Sequence, residues 1–64
     1  MENKIWYYRK QRNWTLKHLA DLTGISAGEL NRLENGLTKD IGLKNAMILS
    51  KTLQVDIYEL FCLK

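Results

Sequence analysis

The sequence predicts an all-α fold of five short helices. Three observations carry that expectation. Apolar residues recur at three- and four-residue spacing through most of the 64 residues. Proline is absent and runs of β-branched residues are scarce. Residues that start or stop helices fall between the apolar stretches, at Thr15, Gly24, Ser26, Asn35-Gly36 and Asp56.

A first helix is expected from about Glu2 to Arg12, with Ile5 and Tyr8 facing inward and Trp6 or Tyr7 covering a flank. Asn13 breaks it, and Trp14 reads as a core residue ahead of the Thr15 cap. The second helix runs to about Thr23, with Leu16, Leu19, Ala20 and Leu22 apolar. Gly24 can adopt the left-handed conformation that ends a helix, which a residue with a Cβ resists. Ile25 then points back into the core. Ser26 and Glu29 form a Ser-x-x-Glu capping box for a third helix over about Ala27 to Asn35, carrying Leu30 and Leu33. A loop with Thr38, Lys39, Asp40 and Gly42 follows. Leu43, Ala46, Met47, Leu49, Ser50 and Leu53 keep helical spacing and mark a fourth helix over Leu43 to Leu53. Asp56-x-x-Glu59 is a second, acidic capping box, opening a short fifth helix with Ile57, Leu60 and Phe61.

Length and composition exclude several classes. Residues 1–64 are expected to form one domain, and a chain of this size buries only about 60% of its unfolded surface. That leaves no room for an enzyme core with a substrate pocket. The net charge of +3 and pI of about 9.2 suit a polyanionic partner without establishing one. One cysteine, Cys62, excludes an internal disulfide framework and a cysteine-based zinc site. The lone His18 reads as exposed and not as a metal ligand. No apolar run approaches the roughly 20 residues of a membrane span, and no targeting segment is visible. A cytoplasmic protein with no cofactor, metal, membrane or small-molecule ligand is expected.

A helix, a glycine-bearing turn and a second helix is the helix-turn-helix plan, in which the second helix enters the major groove of double-stranded DNA. Base contacts are therefore expected from the outward face of helix three: Ala27, Gly28, Asn31 and Arg32. Arginine can bond guanine O6 and N7 together, and asparagine adenine N6 and N7. The alternatives are a phosphate contact or a solvated arginine for Arg32, and phosphate or solvent for Asn31. Phosphate contacts are expected from Thr15, Lys17, Ser26, Asn35, Thr38, Lys39 and Lys44. For each lysine the plainer reading is a solubilising charge. Trp6, Trp14 and the tyrosines read as packing residues and not as a stacking platform for single strands.

These residues resemble the lambda-repressor-like, Cro/XRE-type DNA-binding domains. The likeness lies in Thr15, Leu19-Ala20, Gly24-Ile25-Ser26, Leu30, Arg32-Leu33-Glu34 and Asn35-Gly36, and in the tail from Leu49 to Phe61. It covers nearly the whole chain. Three departures stand out. Leu16 replaces a frequent glutamine, the loop after Leu37 is one residue longer and lacks its usual proline, and the reading helix opens on the small residues Ala27 and Gly28. The resemblance implies an ion pair between Arg9 and Glu34 that joins helices one and three. It also implies transcriptional regulation, as repressor of a phage, mobile element or bacterial operon, through a double-stranded operator. One rival is an antitoxin-type protein-interaction module that also binds its own promoter. The tail offers Ile57, Tyr58, Phe61, Cys62 and Leu63, which suggests a weak homodimer through the fifth helix; the alternative is that Leu60 and Phe61 simply close the core of a monomer.

Overall fold

The computed structural model describes residues 1–63. These contain five helices and no strand: α1 Ile5–Gln11, α2 Leu16–Thr23, α3 Ala27–Glu34, α4 Leu43–Leu53 and α5 Ile57–Leu60. They close on one core of Ile5, Leu19, Ile25, Leu30, Leu33, Ala46, Leu49, Leu53, Leu60 and Phe61. Every helix contributes to it, and Ile25 enters from the turn between α2 and α3.

α1 begins later than its periodicity predicts, because tertiary bonds hold residues 1–4 outside a helix. The Asn3 amide nitrogen donates to the Leu33 carbonyl at 2.8 Å, and its Oδ1 accepts from the Ile5 amide. The Lys4 amide donates to the Leu60 carbonyl at 2.8 Å, and the Met1 amino group donates to the carbonyls of Gly36 and Thr38. This leading segment straps the C-terminal end of α3 to α5. Lys4 also pairs with Glu59 at 2.9 Å, and the Tyr8 hydroxyl donates to the same carboxylate. Those two donors hold the Glu59 carboxyl below its ordinary pKa of 4.5, and Glu59 in turn raises the Lys4 ammonium above 10.5.

Four of the five helices end on the same device. The residue at or just after the helix cap takes a positive φ, and its amide and the next one turn back onto helix carbonyls. After α3 this residue is Gly36 at φ 70°, with its amide on Leu33 and that of Leu37 on Arg32. Asn13, Gln54 and Cys62 do the same after α1, α4 and α5, at φ 57–58°. α2 ends more simply, at Gly24 with φ 78° and one bond to Ala20. Gln54 and Cys62 are stops without glycine, so local sequence gives no warning of them.

Some apolar residues lie elsewhere than their spacing suggests. Leu22 is half exposed, because Thr23 takes the inward place and bonds its hydroxyl to Leu19. Leu43 and Met47 also lie on the surface, leaving Ala46, Leu49 and Leu53 to bury α4. Trp14 packs on the rim of the core, with the Arg12 guanidinium 5.4 Å above its ring. Arg12 reaches on to the Leu53 carbonyl and tethers the end of α4.

Candidate nucleic-acid interface

The turn from α2 to α3 is built from short-range bonds. Thr15 accepts from the His18 amide at 3.0 Å and Ser26 from the Glu29 amide at 3.1 Å, so both helices are capped by side chains. The return half of each capping box is not formed. The Glu29 carboxylate lies 3.5 Å from the Thr38 hydroxyl, and Glu59 is held by Lys4 and Tyr8. Asp56 caps α5 through the Tyr58 amide.

α3 buries Leu30 and Leu33 and turns Ala27, Gly28, Asn31 and Arg32 to solvent. All four expected base readers therefore share one exposed face. A Cβ built on Gly28 would meet nothing within 4 Å, so the fold itself does not require glycine there. Asn31 is not free to turn. The Asn35 amide nitrogen donates to the Asn31 carbonyl at 2.8 Å and to its Oδ1 at 3.2 Å. That leaves the Asn31 side-chain nitrogen as a donor with no partner among the described residues. This coupling is an i,i+4 amide pair of the kind a helix surface favours. Its spacing stands in the sequence, yet Asn31 and Asn35 were assigned separate roles there.

The expected phosphate contacts divide by environment. Thr15, Ser26, Asn35, Lys39 and Lys44 are exposed. The hydroxyls of Thr15 and Ser26 accept in their caps and keep a proton to donate. Lys17 is exposed and 3.6 Å from Asp21. Thr38 is half-buried, its hydroxyl turned toward Glu29 and its carbonyl holding Met1, which leaves it little to offer a phosphate.

Arg9 and Glu34 fix how α1 meets α3. The guanidinium grips both carboxylate oxygens and bonds the Trp14 carbonyl with its remaining arm at 2.7 Å. The Glu34 bond raises the Arg9 pKa further against the effect of burial, so the charge is permanent.

At the other end, the expected self-contact of α5 needs correction. Phe61 is only 5% exposed and closes the core, so it is not part of any surface. Ile57 and Cys62 are half-buried, and Tyr58 and Leu63 are exposed.

Among the described residues no helix is long and apolar enough to cross a membrane, and no cluster of three or more His, Cys, Asp or Glu could hold a metal. No curated protein and no solved structure shows a significant match to the chain. A family model described as helix-turn-helix matches residues 7–60, which take in α2 to α5, most of α1 and both members of the Arg9–Glu34 pair. That family binds DNA and is not enzymatic. With the match extending over most of its length, the chain belongs to the Cro/XRE-type helix-turn-helix family of DNA-binding domains.

Proposed function

We propose that residues 1–64 act as one unit that binds an operator in double-stranded DNA and represses transcription by occluding a promoter. The observation that carries this reading is the outward face of α3, where Ala27, Gly28, Asn31 and Arg32 stand together on a capped helix. Arg32 is the principal base reader, with guanine O6 and N7 as its partners. Asn31 presents a donor, and the small side chains of Ala27 and Gly28 let the helix backbone sit close to the bases. Thr15, Lys17, Ser26, Lys39 and Lys44 hold the phosphates and set the register, and Asn35 joins them by giving up its side-chain bonds to Asn31. A cytoplasmic or nucleoid location follows from that role.

One reading helix spans too few base pairs for specificity in a genome, so the unit binds as a weak dimer on paired half-sites. Such sites are about 34–36 Å apart. The backbone is 28 Å in its longest extent. That extent is shorter than the spacing, so two copies fit on adjacent half-sites without overlap. Tyr58 and Leu63, with Ile57 and Cys62 beside them, are the surface for that contact.

Selection of sites from random DNA followed by sequencing tests the reading. The expected product is a pair of inverted half-sites one helical turn apart. Affinity for it should fall steeply with salt, as counterions are released from phosphates. Failure to enrich any sequence, with no salt-dependent binding, overturns it. Sedimentation on the selected duplex tests the dimer. Two copies per duplex are expected, and one copy unaffected by Tyr58→Glu or Leu63→Glu rejects the self-contact alone.

A further inference from the structure

We propose that the cleft between α1 and α3 is a second seat for the same duplex, in which Trp6 and Tyr7 pack against its sugar-phosphate backbone. This rests on the DNA-binding reading of α3. The cleft encloses about 540 Å³ and is lined on one side by Asn31 and Asn35, and by Leu16 at the first turn of α2. Asn31 and Asn35 thus belong both to the cleft and to the outward side of the reading helix. The opposite wall is Trp6 and Tyr7, 54% and 50% exposed.

Two adjacent aromatics lie half in water although the core beneath them is already closed. Ile5 and Arg9 take the inward places of α1, so Trp6 and Tyr7 do not complete the interior. The charge of the cleft suits a polyanion. Among the described residues its one lining carboxylate is Glu34, and both oxygens of that group are bonded by Arg9. The Lys10 ammonium stands 6.0 Å from the Trp6 ring centre and, among the described residues, outside any ion pair. A deoxyribose ring is apolar enough to lie on an indole face, and a flanking phosphate meets Lys10. A purely apolar partner would bury that ammonium unmatched.

In a Trp14→Phe protein Trp6 is the remaining tryptophan, so its emission reports on the cleft. The probes are a duplex two helical turns long bearing a selected site, and an unrelated duplex of equal length. Saturation with the selected duplex should shift the emission and protect Trp6 from acrylamide quenching. Trp6→Ala should weaken binding to both duplexes by a similar factor, about 5–10-fold, with an unchanged salt slope. Lys10→Ala should lower the slope by about one. Unchanged emission and quenching at saturation, with Trp6→Ala binding as tightly as the parent, overturns the proposal. So does an emission change that follows protein concentration without DNA, which would assign the cleft to a second copy. If Arg32→Ala still weakens selective binding in either case, the reading of α3 survives and only the cleft is lost. Absence of binding by the unmodified chain overturns both.

Discussion

Arg9 and Glu34 form a two-pronged ion pair closed to solvent. Nε stands 2.6 Å from one carboxylate oxygen and Nη2 3.0 Å from the other, with the side chains 8% and 5% exposed. The pair sets the register of α1 on α3. Its net contribution to stability is small, because desolvation offsets most of the attraction. Breaking it is another matter. Glu34→Ala strands a buried guanidinium and should cost about 3–5 kcal/mol in urea denaturation, whereas replacing both residues with apolar ones should cost less. A Glu34→Ala protein within 1 kcal/mol of the parent would contradict this account.

Arg32 and Lys39 should fail in different ways. Arg32→Ala should lose about 1–3 kcal/mol on the selected site and little on random DNA. Lys39→Ala should weaken binding to every sequence alike and reduce the salt slope by about one. Equal losses on both duplexes for Arg32→Ala would reassign it to phosphate.

Two glycine exchanges should stabilise the fold, and only one of them should disturb DNA binding. Gly28 lies inside α3 with open space where a Cβ would go, so Gly28→Ala should add about 1 kcal/mol. It should also weaken DNA binding, by setting a methyl group where the backbone approaches the bases. Gln54 holds φ 57° at the end of α4, a conformation glycine adopts without strain. Gln54→Gly should raise stability by about 0.5–1 kcal/mol and leave binding unchanged. Thermal melts and one titration for each variant decide the matter. A less stable Gln54→Gly protein would show that the side chain matters more than the backbone.

The Lys4–Glu59 contact predicts a window of pH. Glu59 titrates below its ordinary 4.5 in the folded state, so its contribution is complete above 4.5 and disappears as pH falls through the lower folded value. Lys4 titrates above 10.5, so its share is complete below 10.5 and is lost at higher pH. Both groups are exposed, so the effect is modest and screened by salt. The difference in melting temperature between the parent and Glu59→Gln should be constant through neutral pH and shrink below 4.5. A difference that persists in strong acid would assign Glu59 some role other than a charged partner.

What was legible in the sequence was local. Thr15, Gly24, Ser26 and Gly36 act within a few residues of themselves, so their types revealed where α2 and α3 begin and end. The capping glutamates were half misread, because distant partners claim them: Thr38 for Glu29, and Lys4 with Tyr8 for Glu59. The late start of α1 has the same cause, since Asn3 answers to Leu33 across 30 positions. Phe61 was placed on a surface because spacing alone does not say how deep a short helix sits. The outward face of α3 was legible because Leu30 and Leu33 fix the inward one. The aromatic wall opposite it was not, since only packing reveals that Trp6 and Tyr7 share a cleft with Asn31.

The bond from the Lys4 amide to the Leu60 carbonyl joins the two ends of the chain. None of the helices exceeds 11 residues, too short to persist alone in water. The reading helix therefore depends on its packing through Leu30 and Leu33 into the common core. Hydrogen exchange at the Lys4 amide reports how often the Lys4 and Leu60 segments part, an opening that costs no more than unfolding the whole molecule. Linkage runs both ways. DNA bound to α3 slows exchange at the Lys4 amide to the extent that this contact opens together with α3, and an exchange rate unchanged by DNA would show that the two open separately.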